Sequence, residues 1–411
     1  MTDLAARLTS LGGLAVMIAL ALAFSGARRR TSLRLVAAGL GLQLLFALLV
    51  LRTGPGHAFF EGAKDAFDVL LRASNKGAEF LFGGLVTDTQ VGALVAFQVL
   101  PIVIFVSAVA AVLYHLGIVQ WVVRVLARVM QRAMNTSGAE SLACALFVFL
   151  GIEATTALTE YIRRMTRSEL FTLMTGFMAT IAGSVMGAYA SFVGAERAGH
   201  LLAASVMSAP AAIVIAKIMM PETEPSLTRG RVAFDPPREA ANVLDAAARG
   251  AAQGLFLALN IGAMLIAFVG LVALVNFVLE AASAPLLAEP LTLQRLFGWA
   301  FSPLALVMGV PWDDAATVGQ LLGTKTVLNE FLAYRDLQGL IAAGALEERS
   351  IVIASYALCG FANFGSVAIL IGGLGSIDPD RKGLIARLGL RAIVSGTLAA
   401  FMTACFAGML T

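Results

Sequence analysis

The chain has 411 residues, 59% of them hydrophobic and only 13% charged, with a net charge of +3 and a mean hydropathy of +0.86. A soluble domain carries about 25% charged residues, so half that density excludes a water-exposed globule and points to a chain whose solvent is lipid. The small, dispersed positive charge excludes a nucleic-acid footprint, and Cys144, Cys359 and Cys405 all sit in apolar runs, as buried small hydrophobes rather than a disulfide framework or a metal set.

A helix needs about 20 apolar residues to cross a membrane, or about 17 where its flanks help. In chain order, eight stretches qualify: 11–27, 35–51, 90–118, 170–195, 200–216, 255–279, 351–377 and 392–410. The N-terminus lacks the charged start and small-residue cleavage site of a leader, so 11–27 is read as a retained span. Lys and Arg in short loops mark the cytoplasmic side. Arg28, Arg29, Arg30 and Arg34 place the first loop inside and the N-terminus outside. Alternation then puts Arg124, Arg128 and Arg132 of segment 119–134 inside, along with Arg163, Arg164, Arg167, Arg381, Lys382 and Arg387. The loop holding Glu347, Glu348 and Arg349 falls outside, as does the C-terminus.

Under that assignment 137–163 begins and ends inside, and 300–347 begins and ends outside. Each must dip into the membrane and return, as a re-entrant hairpin lodged in protein or around a water-filled cavity. The expected fold is all-α: eight transmembrane helices plus two opposed re-entrant hairpins.

The chain also resembles itself. Arg167-Ser168 precedes Gly183-Ser184-Val185 by sixteen residues, and Arg349-Ser350 precedes Gly365-Ser366-Val367 by the same interval. Both copies follow a hairpin and open a long apolar span. Inverted repeats with broken helices are the architecture of secondary transporters, which bind substrate at the midplane between the repeats. The chain divides into N-terminal spans, interfacial helices and scaffold (1–135), a first repeat (136–219), a cytoplasmic loop and scaffold span (220–299) and a second repeat (300–411).

A charged side chain at the bilayer centre costs roughly 3 kcal/mol on insertion scales and is a functional candidate by default. Glu153 in the first hairpin and Glu330 in the second fit that description, with Lys325 as a possible ion-pair partner for Glu330. Thr180 and Ser184 flank one glycine-containing break and Asn363 and Ser366 the other, where unwound carbonyls can bind cations or hydroxyls. Hydroxyls in such helices also bond back idly to their own turn. His57, His115 and His200 are far apart, with no His-Glu-x-x-His and no Gly-Lys dipeptide. That pattern offers neither an active site nor an ATP-binding loop, so any energy must come from an ion gradient.

Gly309-Val310-Pro311-Trp312-Asp313-Asp314, Leu322-Gly323-Thr324-Lys325, Leu328-Asn329-Glu330-Phe331-Leu332-Ala333-Tyr334 and Ala357-Leu358-Cys359-Gly360-Phe361-Ala362-Asn363-Phe364-Gly365-Ser366 closely resemble the concentrative nucleoside transporter family. Thr136-Ser137-Gly138-Ala139-Glu140-Ser141 and Met165-Thr166-Arg167-Ser168-Glu169-Leu170 extend the resemblance, which covers roughly residues 90 to 411. It implies a homotrimer in which a transport domain of hairpins and broken helices moves between the faces of the membrane, and the compact chain without long tails favours a bacterial inner membrane. Glu330, Asn363 and Ser366 would hold ribose hydroxyls, with Phe361 and Val185 against the base. Glu153 would face the base and the coupling-ion region, where Thr180 and the Ile181 carbonyl remain as ion ligands. No cofactor is implied beyond the coupling ion, H+ or Na+, and the expected partners are a nucleoside and membrane lipid.

Two departures bear on function. The family's first hairpin reads Gly-Gln-(Thr or Ser)-Glu; here it is Gly151-Ile152-Glu153, one residue shorter and without Gln. Sodium-coupled members place Asn four residues before that Gly, where this chain has Phe147, whose side chain offers no oxygen to a hard cation. These favour proton coupling through Glu153. They also leave open a different small polar metabolite, or a passive channel or exchanger.

Overall fold

Long apolar runs become long helices, continuing even through Pro210 in Ala198–Met219 and Pro303 in Leu293–Met308. The computed structural model describes residues 3–86, 95–227, 240–285, 287 and 290–411. Two spans, α1 (Asp3–Ala23) and α2 (Leu33–Arg52), lead into the 29-residue helix α3 (Gly54–Phe82). Then come α4 (Leu100–His115) and α5 (Ile118–Met134). The start of the expected 90–118 span lies outside the described residues.

Hairpin 1 consists of α6 (Gly138–Phe147) and a return arm of two single turns, α7 (Ala154–Ala157) and α8 (Thr159–Ile162). A broken span follows, α9 (Arg167–Ala179) and α10 (Gly183–Val193), and then the straight span α11 (Ala198–Met219). The same order recurs. A long span, α12 (Val243–Ser283), leads to α13 (Leu293–Met308) and to hairpin 2, formed by α14 (Trp312–Val327) and α15 (Glu330–Ala342). The broken pair α16 (Glu348–Leu358) and α17 (Phe364–Ile377) and the straight α18 (Lys382–Leu410) complete it.

Among the described residues seven helices are long and apolar enough to cross a membrane. The eighth expected span, 351–377, is interrupted: five residues separate α16 from α17. Hairpin 2 is also shorter than the 300–347 expected. Residues 300–308 belong to α13, which meets α14 at 119°. Gly309 makes that corner at φ +97°, and a Cβ there would collide with the Ser10 hydroxyl.

Segment 119–134 is an amphipathic helix rather than a span. Val119, Val123, Leu126, Ala127, Met130 and Met134 of α5 are buried at helical spacing, and Arg124, Arg128 and Arg132 lie on other faces.

Burial separates a core from a periphery. In both α9–α10 and α11, 89% of the apolar window is buried inside the chain; in α12 the figure is 0%. α12 packs mainly on α4 and turns Phe256, Ile266 and Phe277 outward. That surface has lipid or another protein as its only apolar solvent.

Arginines lock the two ends of the bundle by donating to helix-terminal carbonyls, which have no partner in their own helix. At the arginine-rich end Arg381 donates to the Ile162 and Met165 carbonyls, Arg163 to Ile377 O and Arg391 to Phe24 O. At the other end Arg349 donates to Gly309 O and Gly408 O, while Arg197 forks onto the Glu348 carboxylate at 3.0 and 2.8 Å. Hairpin 1 is rooted at the first end and hairpin 2 at the second, as an inverted repeat requires.

The root of hairpin 1 is a buried ionic cluster. Ser137 and Glu140 form a capping box on α6, and Thr166 and Glu169 form another on α9. The Lys217 ammonium, 6% exposed near the end of α11, lies 2.6 Å from Glu140 and 3.3 Å from Glu222, and donates to Ser168 at 3.0 Å. All three cysteines are free and buried, as their apolar settings imply.

Candidate functional site

The two helix breaks meet. Where α9 yields to α10, Thr180, Ile181 and Ala182 leave the helix; where α16 yields to α17, residues 359–363 do the same. The Phe361 N–H donates to the Thr180 carbonyl at 3.3 Å, so each break satisfies part of the other's backbone. Gly360 makes the crossing possible. Its φ is +149°, and a Cβ would sit 2.7 Å from Met178 O and 3.0 Å from the Ala179 carbonyl carbon. Gly360→Ala is therefore expected to destabilise the protein by on the order of 1–3 kcal/mol from backbone strain alone. The readout is the melting temperature of the detergent-purified protein; no change would mean that the breaks do not touch.

Beside this crossing lies a buried carboxylate. Glu330 begins α15, capped by Asn329, and is 5% exposed. The Tyr189 hydroxyl donates to its Oε1 at 2.8 Å, and Asn363 Nδ2 donates to Oε2 at 2.9 Å. Asn363 caps α17 in turn, accepting the Ser366 N–H at 2.8 Å, and Ser366 is buried beside it. Glu330, Asn363 and Ser366 are thus held as one unit by two helix N-termini and a tyrosine from the other repeat.

Lys325 is not the partner of Glu330. Its ammonium, 1% exposed, donates to the Ala357 carbonyl in the last turn of α16, a favourable place for a cation.

Phe361 is half-buried and packs on Phe177 with ring centroids 5.4 Å apart. Phe177 in turn meets Phe147 edge-on at 5.6 Å. The aromatic ladder Phe147–Phe177–Phe361 runs from the end of α6 to the second break. Val185 is buried in the first turn of α10. The oxygens at the first break are engaged by protein. The Thr180 hydroxyl donates back to Gly176 O at 2.8 Å, and the Ile181 carbonyl accepts Ser205 Oγ at 3.4 Å.

Glu153 lies elsewhere. It is exposed at the tip of hairpin 1 and lines a cavity of about 200 Å³ with Tyr114, His115, Ser184, Arg249 and Gln253. Glu330, Phe361, Asn363 and Ser366 are not among that cavity's lining. The hairpin tip reaches the first break through Gly183 N–H, which donates to Phe149 O at 3.0 Å.

The architecture is that of a helical membrane transporter built as an inverted repeat with opposed hairpins. Residues 12–85 match the family description "Na+ dependent nucleoside transporter N-terminus", 96–196 match "Nucleoside recognition", and 200–408 match "Na+ dependent nucleoside transporter C-terminus". The chain is 43% identical over 98% of its length to an uncharacterized transporter of Haemophilus influenzae, covering 97% of that protein. It is equally similar to YutK, an uncharacterized transporter of Bacillus subtilis, covering 98% of it, and to solute carrier family 28 member 3 of Rattus norvegicus, covering 59%. CNTnw in an inward-facing substrate-bound state superposes with a TM-score of 0.91 at 40% identity, over 99% of this chain and 98% of that one. An outward-facing CNTnw variant gives 0.93 at 39%, over 100% and 99%. The chain belongs to the Na+ dependent nucleoside transporter family and is an integral membrane transporter, not an enzyme.

Proposed function

We propose that this protein is a secondary active symporter that imports nucleosides, with Glu330 as its central ligand and protons as its coupling ion. The observation that carries the cargo reading is the Glu330–Asn363–Ser366 unit beside two facing helix breaks. A carboxylate in a dry setting accepts strongly from hydroxyls, and a ribose offers two on adjacent carbons. Phe361 and Val185 supply apolar faces for a base.

Protons are favoured over sodium because of what fills the space behind hairpin 1. Phe147 stands 1% exposed against Phe177 and offers no side-chain oxygen to a hard cation. Glu153, at the tip of hairpin 1 and lining the cavity, is the carboxylate assigned to the coupling. Hairpins rooted at opposite ends, with breaks that interlock, suit a transport domain that carries substrate between faces as one block. The outward apolar side of α12 suits contact with lipid and with further copies in a homotrimer. The arginine-rich end would face the cytoplasm, with both termini on the far side of a bacterial inner membrane.

The test is uptake of labelled uridine and adenosine into proteoliposomes under an imposed proton gradient, an imposed sodium gradient, or neither. Accumulation only with the proton gradient is expected. Accumulation with sodium alone would overturn the ion assignment, and equilibration without accumulation would make the protein a passive channel or exchanger. Failure of both nucleosides in folded protein would give the cargo to another small polar metabolite, as the shortened hairpin allows. A variant sharpens the ion question: Phe147→Asn puts an oxygen near Thr180 and Ile181 and is expected to make uptake at fixed pH rise about twofold or more with added sodium. A flat sodium response would show that the ladder does not decide the ion.

A further inference from the structure

We infer that Tyr189 is a positioning residue that sets the plane of the Glu330 carboxylate, so that its remaining acceptor sites form a fork matched to two hydroxyls on adjacent carbons. This rests on the nucleoside reading and assigns the discrimination between ribose and deoxyribose to a residue outside the substrate shell.

A carboxylate offers about four acceptor sites, two on each oxygen. Tyr189 takes one on Oε1 and Asn363 takes one on Oε2, so neither oxygen is filled by its side-chain donor. With one donor fixed on either oxygen, the group cannot turn about its terminal bond without losing both. The acceptor sites left to it are then held in one fixed plane.

The tyrosine itself is held rigidly. It is 1% exposed on α10, one turn beyond Val185, and its ring stacks on Tyr334 at 4.7 Å and 19°. The ring also meets Phe331 edge-on at 6.2 Å. Phe331 and Tyr334 are one and four residues past Glu330, so α15 carries both the carboxylate and the slot for the ring that orients it. Tyr334 has its own anchor, its hydroxyl donating to Ser355 O at 2.7 Å. A phenol with two side-chain torsions in such a slot loses little further freedom when it donates, so the bond is present before substrate arrives. Tyr189 comes from the first repeat and Glu330 and Asn363 from the second; the fork exists only where the repeats are docked.

The experiment measures KM and maximal uptake in proteoliposomes for uridine, 2′-deoxyuridine and 3′-deoxyuridine, with wild type, Tyr189→Phe and Tyr334→Phe. Tyr189→Phe keeps the ring contacts and removes only the donor. It is expected to raise the KM for uridine about tenfold, the loss of one bond to a charged acceptor. It is also expected to narrow the preference for uridine over both deoxy analogues to about threefold or less. Tyr334→Phe, which removes a hydroxyl of the same slot that does not touch Glu330, should keep the wild-type preference.

An unchanged preference in folded Tyr189→Phe, or an equal narrowing in Tyr334→Phe, would overturn the positioning role and leave the nucleoside reading intact. Wild-type protein that takes up all three compounds with the same KM overturns it without any variant. Wild-type protein that takes up none of them overturns the cargo reading and this role together.

Discussion

Glu330→Gln is expected to lower nucleoside uptake by about 5- to 1000-fold while leaving the protein folded. The carboxylate accepts from Tyr189 and Asn363 and would accept from substrate hydroxyls. Hydrogen bonds to a charged group contribute about 1.5–3 kcal/mol each, against about 1 for neutral pairs. A glutamine has one acceptor oxygen where the carboxylate has two, so either Asn363 or Tyr189 would face an amide N–H. Weakening two substrate bonds by that difference gives about 1–4 kcal/mol, and each 1.4 kcal/mol is tenfold. Initial uptake rates across a uridine series, with a thermal melt of the same preparation, provide the check. Uptake within about threefold of wild type would remove Glu330 from the binding unit.

Lys217→Met is expected to damage stability rather than recognition. Its ammonium is the cation of a buried cluster that joins hairpin 1 to α9 and α11 through Glu140, Ser168 and Glu222. Removing one partner of a buried ion pair leaves the other charge unpaired, at a cost of about 3–5 kcal/mol. The melting temperature should fall by several degrees, and Glu140→Gln in the same chain should recover most of the loss by removing the stranded charge. A melt identical to wild type for the single variant would show the cluster to be solvated.

Much of this was legible in the sequence because lipid imposes simple rules. Charge-free runs of about 20 residues became spans, and arginine counts in short loops foretold which helix ends gather together. Opposed hairpins followed from counting crossings, and the paired Arg-Ser and Gly-Ser-Val motifs marked where both broken helices begin and break. Glu330, Asn363 and Ser366 fell together because motif residues at helix N-termini are placed by their own caps.

Other parts were not legible. The helix α3 is hard to read because its seven charges hide an amphipathic repeat; spacing at Phe60, Ala63, Phe67 and Leu70 is the available signal. Tyr189 lies in an apolar run that looks like filler, and only the meeting of α10 with α15 gives its hydroxyl a partner. Glu153 lines a cavity that Glu330, Phe361, Asn363 and Ser366 do not, a separation that no spacing in the sequence discloses. The Lys325–Glu330 pair suggested by their five-residue separation fails because the α14–α15 turn lies between them, and the end of α16 offers the ammonium a nearer acceptor.

The length of α12 bears on how cargo leaves. Its 41 residues span about 60 Å at 1.5 Å each, twice the roughly 30 Å of hydrocarbon in a bilayer. The charge-free part is 250–279, so the first two turns, with Asp245 and Arg249, are the ones that stand clear of the acyl chains. Ala246, Arg249 and Gln253 form one wall of the cavity beneath Glu153. The wall that Ala246 and Arg249 give that mouth therefore stands in water, and a hydrophilic solute reaching it would meet no oily boundary on that side.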